Sequence, residues 1–468
     1  MRKILFIVFL LLVSCSAPLP QASQPIPTPI PTPTAPAGFN VVYHPDGPLY
    51  VGDQVSMEVI SPPGFDSDGR RMRVALGKTV LDETDFGGFG IGGRHQATFY
   101  WVWDTDELDA GAYTLDFSVL PNGPRWSQTV SLLPESDVPA PEPGARWESV
   151  ETNCCTIHYV TGTDAARDIE ALKSMADAEA EDVEERLGVA FDGKVPLTFL
   201  PRVLGQGGFA SSGLYVSYLD QNYMGNTIAA QVTHHEFVHW LDNQMGSERR
   251  ISMLSEGLAV YLSDGHFKVE PIMSRAAALL GLEWYVPLAE LADSFYTVQH
   301  EVGYLEAAAL TGYMIETYGW ERYNTFYRDL QPVPDGSNAD ILDAALREHF
   351  DLSLDQLEAD FLAFLQRQTI TENDVADIRS TVAFYDAARR YQQALDPSAH
   401  FTTAWLPDGG EMRERGIVAD YLRHPVSNVQ EQIELALVSA GVSLQAGDYR
   451  MVEVYVRAAN LLVDVASK

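Results

Sequence analysis

The sequence predicts a multidomain protein with an all-β N-terminal domain, an α+β central domain and an α-helical C-terminal region. Apolar and polar residues alternate with period two over residues 40–135, as they do in half-buried strands. Strand-like and helix-like patterns then mix over residues 147–369, and only helical spacing follows over residues 370–468. At 468 residues the chain also exceeds a single typical core, so we expect several domains.

The first residues have the composition of a secretory leader. Met1-Arg2-Lys3 is a charged start, and Ile4 to Val13 is a short apolar core. The run Leu12-Val13-Ser14-Cys15 resembles the lipobox of bacterial lipoproteins, which implies cleavage of residues 1–14 and acylation of Cys15. Several acyl chains make a stable membrane anchor. We therefore expect an extracytoplasmic protein anchored to the bacterial cell membrane through Cys15. An ordinary secreted protein, cut nearby, is the alternative.

Two proline-rich stretches flank the β domain. Residues 15–39 carry eight prolines among Ser, Thr, Gln and Ala, a composition that stays extended and cannot bury a core. Residues 136–146 are a second linker. Between them, over residues 40–135, alternating runs separated by Gly, Pro and Asp clusters favour an immunoglobulin-like β-sandwich. We expect this domain to be a spacer or docking module, and we expect its tryptophans to pack in the core. These are Trp101, Trp103 and Trp126.

The central domain begins at Trp147. Its first expected elements are a strand from Cys154 to Val160, a helix from Asp164 to Leu187 that ends at Gly188, and a strand from Val195 to Leu200. A Gly-rich turn and a further strand come next. The order of strands and helices indicates an α+β domain.

A His-Glu-x-x-His pattern occurs at His235, Glu236 and His239. In a helix, residues four apart are rotated by only about 40°, so both imidazoles project from one face and can reach a single zinc ion. A neighbouring carboxylate that is not a ligand can take a proton from a water that the metal activates, which is the chemistry of a metalloprotease. The motif therefore predicts a zinc site with Glu236 as its base.

The third zinc ligand must come from outside this motif. A histidine six residues further on, as in the metzincins, is excluded because that position holds Met245. Met253 to Leu262 is expected to form a second helix after a turn-forming stretch, and its Glu256 can face the first helix. This combination resembles the gluzincins, zinc metallopeptidases of thermolysin-like (zincin) fold. In particular it resembles the peptidase MA-like group, whose second helix reads Ser-Glu-Gly-Leu-Ala-x-Tyr.

The resemblance covers about residues 147–369 and implies a site. The implied site residues are the zinc ligands His235, His239 and Glu256, the general base Glu236, and Tyr304. Tyr304 opens an apolar helix where gluzincin aminopeptidases place a tyrosine that hydrogen-bonds the tetrahedral intermediate. Leu214 to Tyr218 would be the edge strand along which an extended substrate lies. One zinc ion per chain is implied as the cofactor.

The sequence departs from the family pattern in two places. Ile251 to Leu254 stands where the family often has Pro and Trp, and the Gly-x-Met-Glu-Asn exopeptidase signature is absent, which weakens an aminopeptidase interpretation. Val260 replaces an aspartate of the thermolysin relatives, so the acceptor behind the ligand imidazoles is unassigned. We leave three other histidines out of the site. His234 points about 100° away from His235 along the helix. His266 and His300 are isolated, and isolated histidines are usually surface or core residues.

Charge and cysteine content restrict the partners and the compartment. With 31 Lys and Arg against 65 Asp and Glu, the formal net charge is −34, which disfavours nucleic acid as a partner. Of three cysteines, only Cys154 and Cys155 remain after lipidation of Cys15. Adjacent cysteines bridge only through a strained ring, so we expect two small strand residues and no disulfide.

Residues 370–468 are predicted to be a helical appendage. Helical spacing covers Ile378 to Leu395, Val429 to Leu444 and Tyr449 to Val465, and the turn at 444–449 resembles that of a tetratricopeptide-like hairpin. With fewer than three repeats, a solenoid is not indicated.

These patterns together predict zinc-dependent peptide-bond hydrolysis outside the cytoplasm, by an endopeptidase acting on a peptide or protein substrate. An aminopeptidase of the same fold and a catalytically silent surface binding protein are the alternatives. The sequence leaves the substrate and the oligomeric state open.

Overall fold

The computed structural model describes residues 38–45, 47–89, 94–139, 143–202, 207–219, 222–224, 229–246, 249–266, 268–395, 409–419 and 427–467. The predicted leader, Cys15 and almost all of the first linker lie outside the described residues, as does the Gly205-Gln206 part of the Gly-rich turn. None of the described helices is both long and apolar enough to span a bilayer. The protein is a mixed α/β chain, with β-sheets in its N-terminal part and helices in its C-terminal part.

The N-terminal part consists of two β-sheets that share one core. Its described strands are β1 (Asn40–His44), β2 (Leu49–Tyr50), β3 (Gln54–Ile60), β4 (Arg71–Leu76), β5 (Thr79–Asp85), β6 (Gly87–Phe89), β7 (Arg94–Asp104), β8 (Gly111–Leu120) and β9 (Arg125–Leu133). One sheet has the order β1-β3-β7-β6 and the other β2-β9-β8-β4-β5. Leu115, Phe117 and Val119 alternate along β8 with less buried residues, and they share the core with Val55 and Met57 of the opposite sheet.

Two of the three tryptophans occupy the positions that the sequence predicts. Trp103 is buried in the core, and Trp126 stacks on Phe117 with ring centroids 5.3 Å apart. The prediction for Trp101 is wrong, because its ring packs against the central domain in a cluster with Tyr215. A bulge where β7 pairs with Val55–Met57 breaks the alternation of the strand and directs this side chain away from the shared core.

A five-stranded sheet forms one layer of the central domain. Its strands are β10 (Trp147–Glu151), β11 (Cys155–Val160), β12 (Val195–Leu200), β13 (Gly208–Ala210) and β14 (Leu214–Ser217), in the order β10-β11-β12-β14-β13. β14 runs parallel to β12, and β13 lies antiparallel to β14 at the edge. The prediction that Leu214 to Tyr218 is the edge strand is therefore wrong. Gly208 pairs with Val216, so the Gly-rich segment folds back and covers the free side of β14.

Ten described helices complete the central domain around one continuous core. They are α1 (Asp164–Arg167), α2 (Ile169–Leu187), α3 (Ala229–Met245), α4 (Ser252–Leu262), α5 (Ile272–Leu282), α6 (Leu288–Ser294), α7 (His300–Tyr318), α8 (Trp320–Arg328), α9 (Asn338–Phe350) and α10 (Leu354–Leu365). α3 packs on β13, β14 and α2, and α4 lies between α3 and α7. A Cβ atom at Gly257 would lie 2.6 Å from the Ala307 carbonyl oxygen, so this glycine allows α4 to approach α7 closely.

One acidic side chain lies inside that core. Glu306 of α7 is fully buried, and its carboxyl group accepts a hydrogen bond of 3.0 Å from the backbone N–H of Val286. Burial raises the pKa of Glu306 well above its usual range. The side chain is therefore held in the core as a neutral acid at moderate pH.

A disulfide joins the adjacent Cys154 and Cys155, so the prediction of two unbridged cysteines is wrong. In a regular strand, neighbouring side chains would point to opposite faces. Cys154 instead lies in a bend before β11, where its backbone N–H donates to Asp177 at 2.9 Å. The bend removes the alternation that would keep the two sulfur atoms apart.

The C-terminal helices pack on the central domain. They are α11 (Glu372–Leu395), α12 (Gly409–Arg415), α13 (Asn428–Gln445) and α14 (Tyr449–Ala466). α13 and α14 form the predicted hairpin and share a core with α11. α11 also joins the central core through Ile378, and its Asp377 forms ion pairs with Lys268 and Arg275. The helical region is thus fixed to the domain that it follows.

The segment around α12 connects the first two parts of the chain. Met412 shares a cluster with Trp101 and Tyr215, and the Arg415 guanidinium lies 4.8 Å from the centre of the Trp101 ring. The Trp147 indole donates a hydrogen bond of 2.7 Å to the Ile417 carbonyl. These contacts fix the β-sandwich beside β14 and its edge neighbour β13.

Candidate metal centre

α3 brings the two histidines of the predicted motif together. His235 and His239 lie one turn apart, and their ring centroids are separated by 4.7 Å. The helix is buried along residues 231–238 because it lies between the sheet, α2 and α4. The Nε2 atoms of the two imidazoles are 3.0 Å apart and therefore face a common point.

Glu256 of α4 completes a set of three donor atoms. Its Oε2 atom lies 3.3 Å from His235 Nε2 and 3.2 Å from His239 Nε2. A tetrahedral zinc ion with bonds of about 2.0–2.1 Å holds its ligand atoms about 3.3 Å apart, so the three distances fit zinc closely. Two imidazole nitrogens and one carboxylate oxygen also suit this metal. The three residues that the sequence predicts as ligands are those that the fold places together.

The charges in this set favour a bound cation. Burial lowers the pKa of His235 to about 4, so its imidazole is neutral. Burial acts on His239 in the same direction, but the charge of Glu256 outweighs it and raises the pKa of His239 to about 9. Burial would raise the pKa of Glu256, yet the charge of His239 holds it well below its usual value. A divalent ion at this point would displace the His239 proton and keep the attraction to Glu256.

Glu236 lies beside the donor set and is buried. Burial raises its pKa to about 8, although the charge of His239 opposes the shift. A carboxyl group whose pKa is near neutral can accept and return a proton at physiological pH. Its position and its pKa both suit a general base.

The edge strand β13 reaches this carboxyl group through Gly208. A Cβ atom there would lie 3.2 Å from Glu236 Oε1, 2.9 Å from the Tyr215 carbonyl oxygen and 2.7 Å from Val232 Cγ1. Only glycine therefore allows the strand to lie so close to α3. The close approach places β13, the edge strand among the described residues, beside Glu236.

Tyr304 is buried in the first turns of α7, next to the candidate ligands. Its ring stacks on His266 with a centroid distance of 4.2 Å and contacts His300 at the same distance. Burial raises the pKa of Tyr304 well above its usual value, and the charges of Glu256 and Glu236 add to that rise. The hydroxyl group therefore stays protonated within the field of the two carboxylates, as a hydrogen-bond donor must.

Sequence reasoning missed a second tyrosine. Tyr296, in the short 3-10 helix Phe295–Thr297, donates a hydrogen bond of 3.0 Å to Glu256 Oε1. This contact orients the carboxylate so that its other oxygen faces the histidines, a supporting role that is common around metal ligands. No spacing pattern in the sequence marks Tyr296. The acceptor behind the imidazoles stays unassigned, since His235 Nδ1 is buried without a hydrogen-bond partner among the described residues.

The other histidines divide into two groups. His234 points away from the donor set, and its Nδ1 lies 3.0 Å from Glu179, as the helical geometry predicts. His266 and His300 were left out of the predicted site, but the fold brings both of them close to it. The ring centroids of His266 and His235 are 5.8 Å apart.

The fold and the centre define a mixed α/β protein with a largely buried His₂Glu donor set. The chain matches no protein-family model. It also has no significant match among curated proteins. Among solved structures it is similar to an aminopeptidase N family protein from Idiomarina loihiensis, with 10% sequence identity and a TM-score of 0.30 over 71% of this chain and 77% of that one. That overlap is too loose to define a shared fold, so the geometry of the site carries the functional argument.

Proposed function

We propose that this protein is a zinc-dependent peptidase whose ion is held by His235, His239 and Glu256. The observation that carries the proposal is the set of three donor distances, all between 3.0 and 3.3 Å, with a buried acid beside them. Zinc bound there would polarise the scissile carbonyl and activate a water for attack on it. We propose one zinc ion per chain at this centre.

Glu236 would act as general base and then as general acid. As the water oxygen bonds to the carbonyl carbon, the Glu236 carboxylate accepts the proton of that water. It then passes the proton to the amide nitrogen as the C–N bond breaks, so that the products are a carboxylic acid and an amine, which then ionise in water. The position of Glu236 supports both transfers, because this buried carboxyl group lies beside the donor set and is not one of the three donors.

An extended peptide would bind along β13. This strand forms the edge of the central sheet, and its Gly208 lies against Glu236. An edge strand binds a peptide through backbone hydrogen bonds, which do not depend on the peptide sequence. Such binding suits an endopeptidase, because it requires no chain terminus.

The two tyrosines would have different roles. We propose that Tyr304 donates a hydrogen bond to the negative charge that develops on the carbonyl oxygen. Its burial and its protonated hydroxyl support this role. Tyr296 already donates to Glu256, so it would orient a zinc ligand and not the substrate.

We further propose that the protein acts outside the cytoplasm, anchored to the membrane through lipid on Cys15. The support for this is the lipobox-like Leu12-Val13-Ser14-Cys15 and the proline-rich stretch that follows it. The β-sandwich, which we propose to be of immunoglobulin type, would separate the central domain from the membrane. The high content of acidic residues disfavours nucleic acid as a partner.

Digestion of a peptide library by the purified protein tests the proposed function. Internal cuts in long peptides are expected, and mass spectrometry of the products maps them. Stepwise removal of N-terminal residues would instead show an aminopeptidase. Intact peptides after prolonged incubation with zinc-loaded protein would indicate a catalytically silent binding protein.

A further inference from the structure

A second group of metal-binding side chains lies beside the first. His266 follows α4, and His300 and Glu301 are the first two residues of α7. One donor atom from each of these three residues lies within 4.8 Å of the other two. His300 Nδ1 is 2.7 Å from Glu301 Oε1, and His266 Nδ1 is 3.6 Å from Glu301 Oε2. All three residues are at most 9% exposed, so the group lies almost entirely inside the fold.

We propose that His266, His300 and Glu301 form a second metal site that binds zinc or a similar divalent transition metal. The donor set again consists of two imidazole nitrogens and a carboxylate oxygen, which these metals prefer. Ligand atoms around tetrahedral zinc are about 3.3 Å apart. The 2.7 Å and 3.6 Å distances run to different oxygens of Glu301, so the carboxylate would bind the ion through both oxygens or rotate to present one of them to both imidazoles. Donor atoms that are up to 4.8 Å apart would move closer together as the ion binds.

The basic residues near Glu301 pair mainly with other carboxylates. Lys268 and Arg275 are the nearby basic residues on one side, but Lys268 pairs with Asp377, and Arg275 pairs with Glu270 and Asp377. The positive charge of Arg389 acts on His300 from another side. Since the same charge repels a metal ion, we expect this site to bind zinc more weakly than the His235 centre.

The position of the group indicates a supporting role for the ion. Both imidazoles contact the Tyr304 ring at 4.2 Å, and the ring of His266 is 5.8 Å from that of His235. A bound ion would lock these imidazoles and so fix the ring that they support. The group offers three protein donors, so water would fill the fourth position of a tetrahedral ion. Its low exposure suits an ion that supports neighbouring side chains more than one that meets a substrate. This role for Tyr304 rests on the proposed function, but the metal site itself does not.

Zinc content of the purified protein, measured by elemental analysis after dialysis against a low zinc concentration, tests the proposal. The wild type should hold about two zinc ions per chain, and His300→Gln and Glu301→Gln should each hold about one. His235→Ala should lose the other ion and also hold about one. His349→Gln is the matched control, because His349 is also a largely buried imidazole that faces a carboxylate, Asp329, at 3.2 Å. This control should keep two.

The outcomes separate this proposal from the proposed function. A single zinc ion that is lost in His235→Ala and kept in His300→Gln overturns the second site and leaves the peptidase centre in place. A single ion with the opposite behaviour supports the second site and refutes the first. If His300→Gln and Glu301→Gln fail to give native circular dichroism, the zinc contents of the wild type and of His235→Ala decide. One zinc ion in the wild type and none in His235→Ala would refute the second site.

Discussion

Replacing Gly208 by alanine tests whether the edge strand must lie against the general base. The added Cβ atom would lie 2.7 Å from Val232 Cγ1 and 2.9 Å from the Tyr215 carbonyl oxygen, whereas ordinary contacts begin at 3.4 Å. The strand must therefore shift by about 0.5–0.7 Å, away from Val232 of α3 and from the Tyr215 carbonyl of β14, because neither a β-branched side chain nor a backbone carbonyl can turn aside as a flexible side chain can. A displacement of about 1 Å near a reacting group can cost about 100-fold in rate. We expect kcat/KM to fall by about 10- to 100-fold with zinc content unchanged.

Peptide hydrolysis and zinc content of Gly208→Ala, measured beside Gly213→Ala, provide the assay. Gly213 lies in the same hairpin, and its added Cβ atom would meet the Pro196 carbonyl oxygen at 2.9 Å, away from Glu236. Both variants should lose about 1–3 kcal/mol of stability through overpacking. Only Gly208→Ala should lose activity. Equal activity losses in the two variants would refute the argument that closeness to Glu236 matters.

Four other predictions concern separate residues. Tyr304→Phe should lower kcat by about 10²–10³-fold with zinc retained. Tyr296→Phe should weaken zinc binding by about 10–100-fold in a chelator competition, because it removes the hydrogen bond that orients Glu256. In Glu306→Gln, a neutral amide replaces a buried acid whose folded pKa is raised. The wild type therefore loses folding stability as pH rises above the usual glutamate pKa, by at most about 1.4 kcal/mol per pH unit. Denaturant unfolding should show that Glu306→Gln is more stable than the wild type at about pH 8 but not at about pH 4. Cys15→Ser should yield a protein without lipid that leaves the membrane fraction, as judged by mass spectrometry and fractionation.

Each of these four predictions has a contradicting result, which for Tyr296→Phe is a zinc affinity equal to that of the wild type. A kcat of Tyr304→Phe within about threefold of the wild type would make the ring a packing residue. A parallel pH dependence of stability in Glu306→Gln and the wild type would show that this acid is not the titrating group. Continued membrane association of an unlipidated Cys15→Ser protein would indicate another anchor.

The sequence predicted the parts of the site that depend on local geometry. Four-residue spacing along a helix is sufficient to bring His235 and His239 together, whatever surrounds them. Glu256 is 17 residues from His239, and its place depended on the resemblance of its helix to a known pattern. The close packing of α4 on α7 at Gly257 is what holds that helix near the histidines.

The parts that the sequence did not predict depend on contacts between distant residues. Strand order was wrong at β14 because alternation identifies a strand but not its neighbours. His266 and His300 are 34 residues apart and follow no shared period, so only the packing of α7 reveals that they meet Glu301. Tyr296 was not predicted as a site residue for the same reason, since a single tyrosine in a short 3-10 helix does not indicate which carboxylate it contacts.

The central claim is a zinc centre served by a base that is not a ligand, and paired measurements on Glu236→Gln test it most directly. Zinc content and peptide hydrolysis should be measured on this variant, on Glu256→Ala and on the wild type. Glu236→Gln should hold as much zinc as the wild type and lose about 10²–10⁴-fold in kcat, because it removes the base and leaves the ligands intact. Glu256→Ala should lose the ion of the His235 centre together with activity. Undiminished turnover by Glu236→Gln, or full zinc content in Glu256→Ala, would contradict the account.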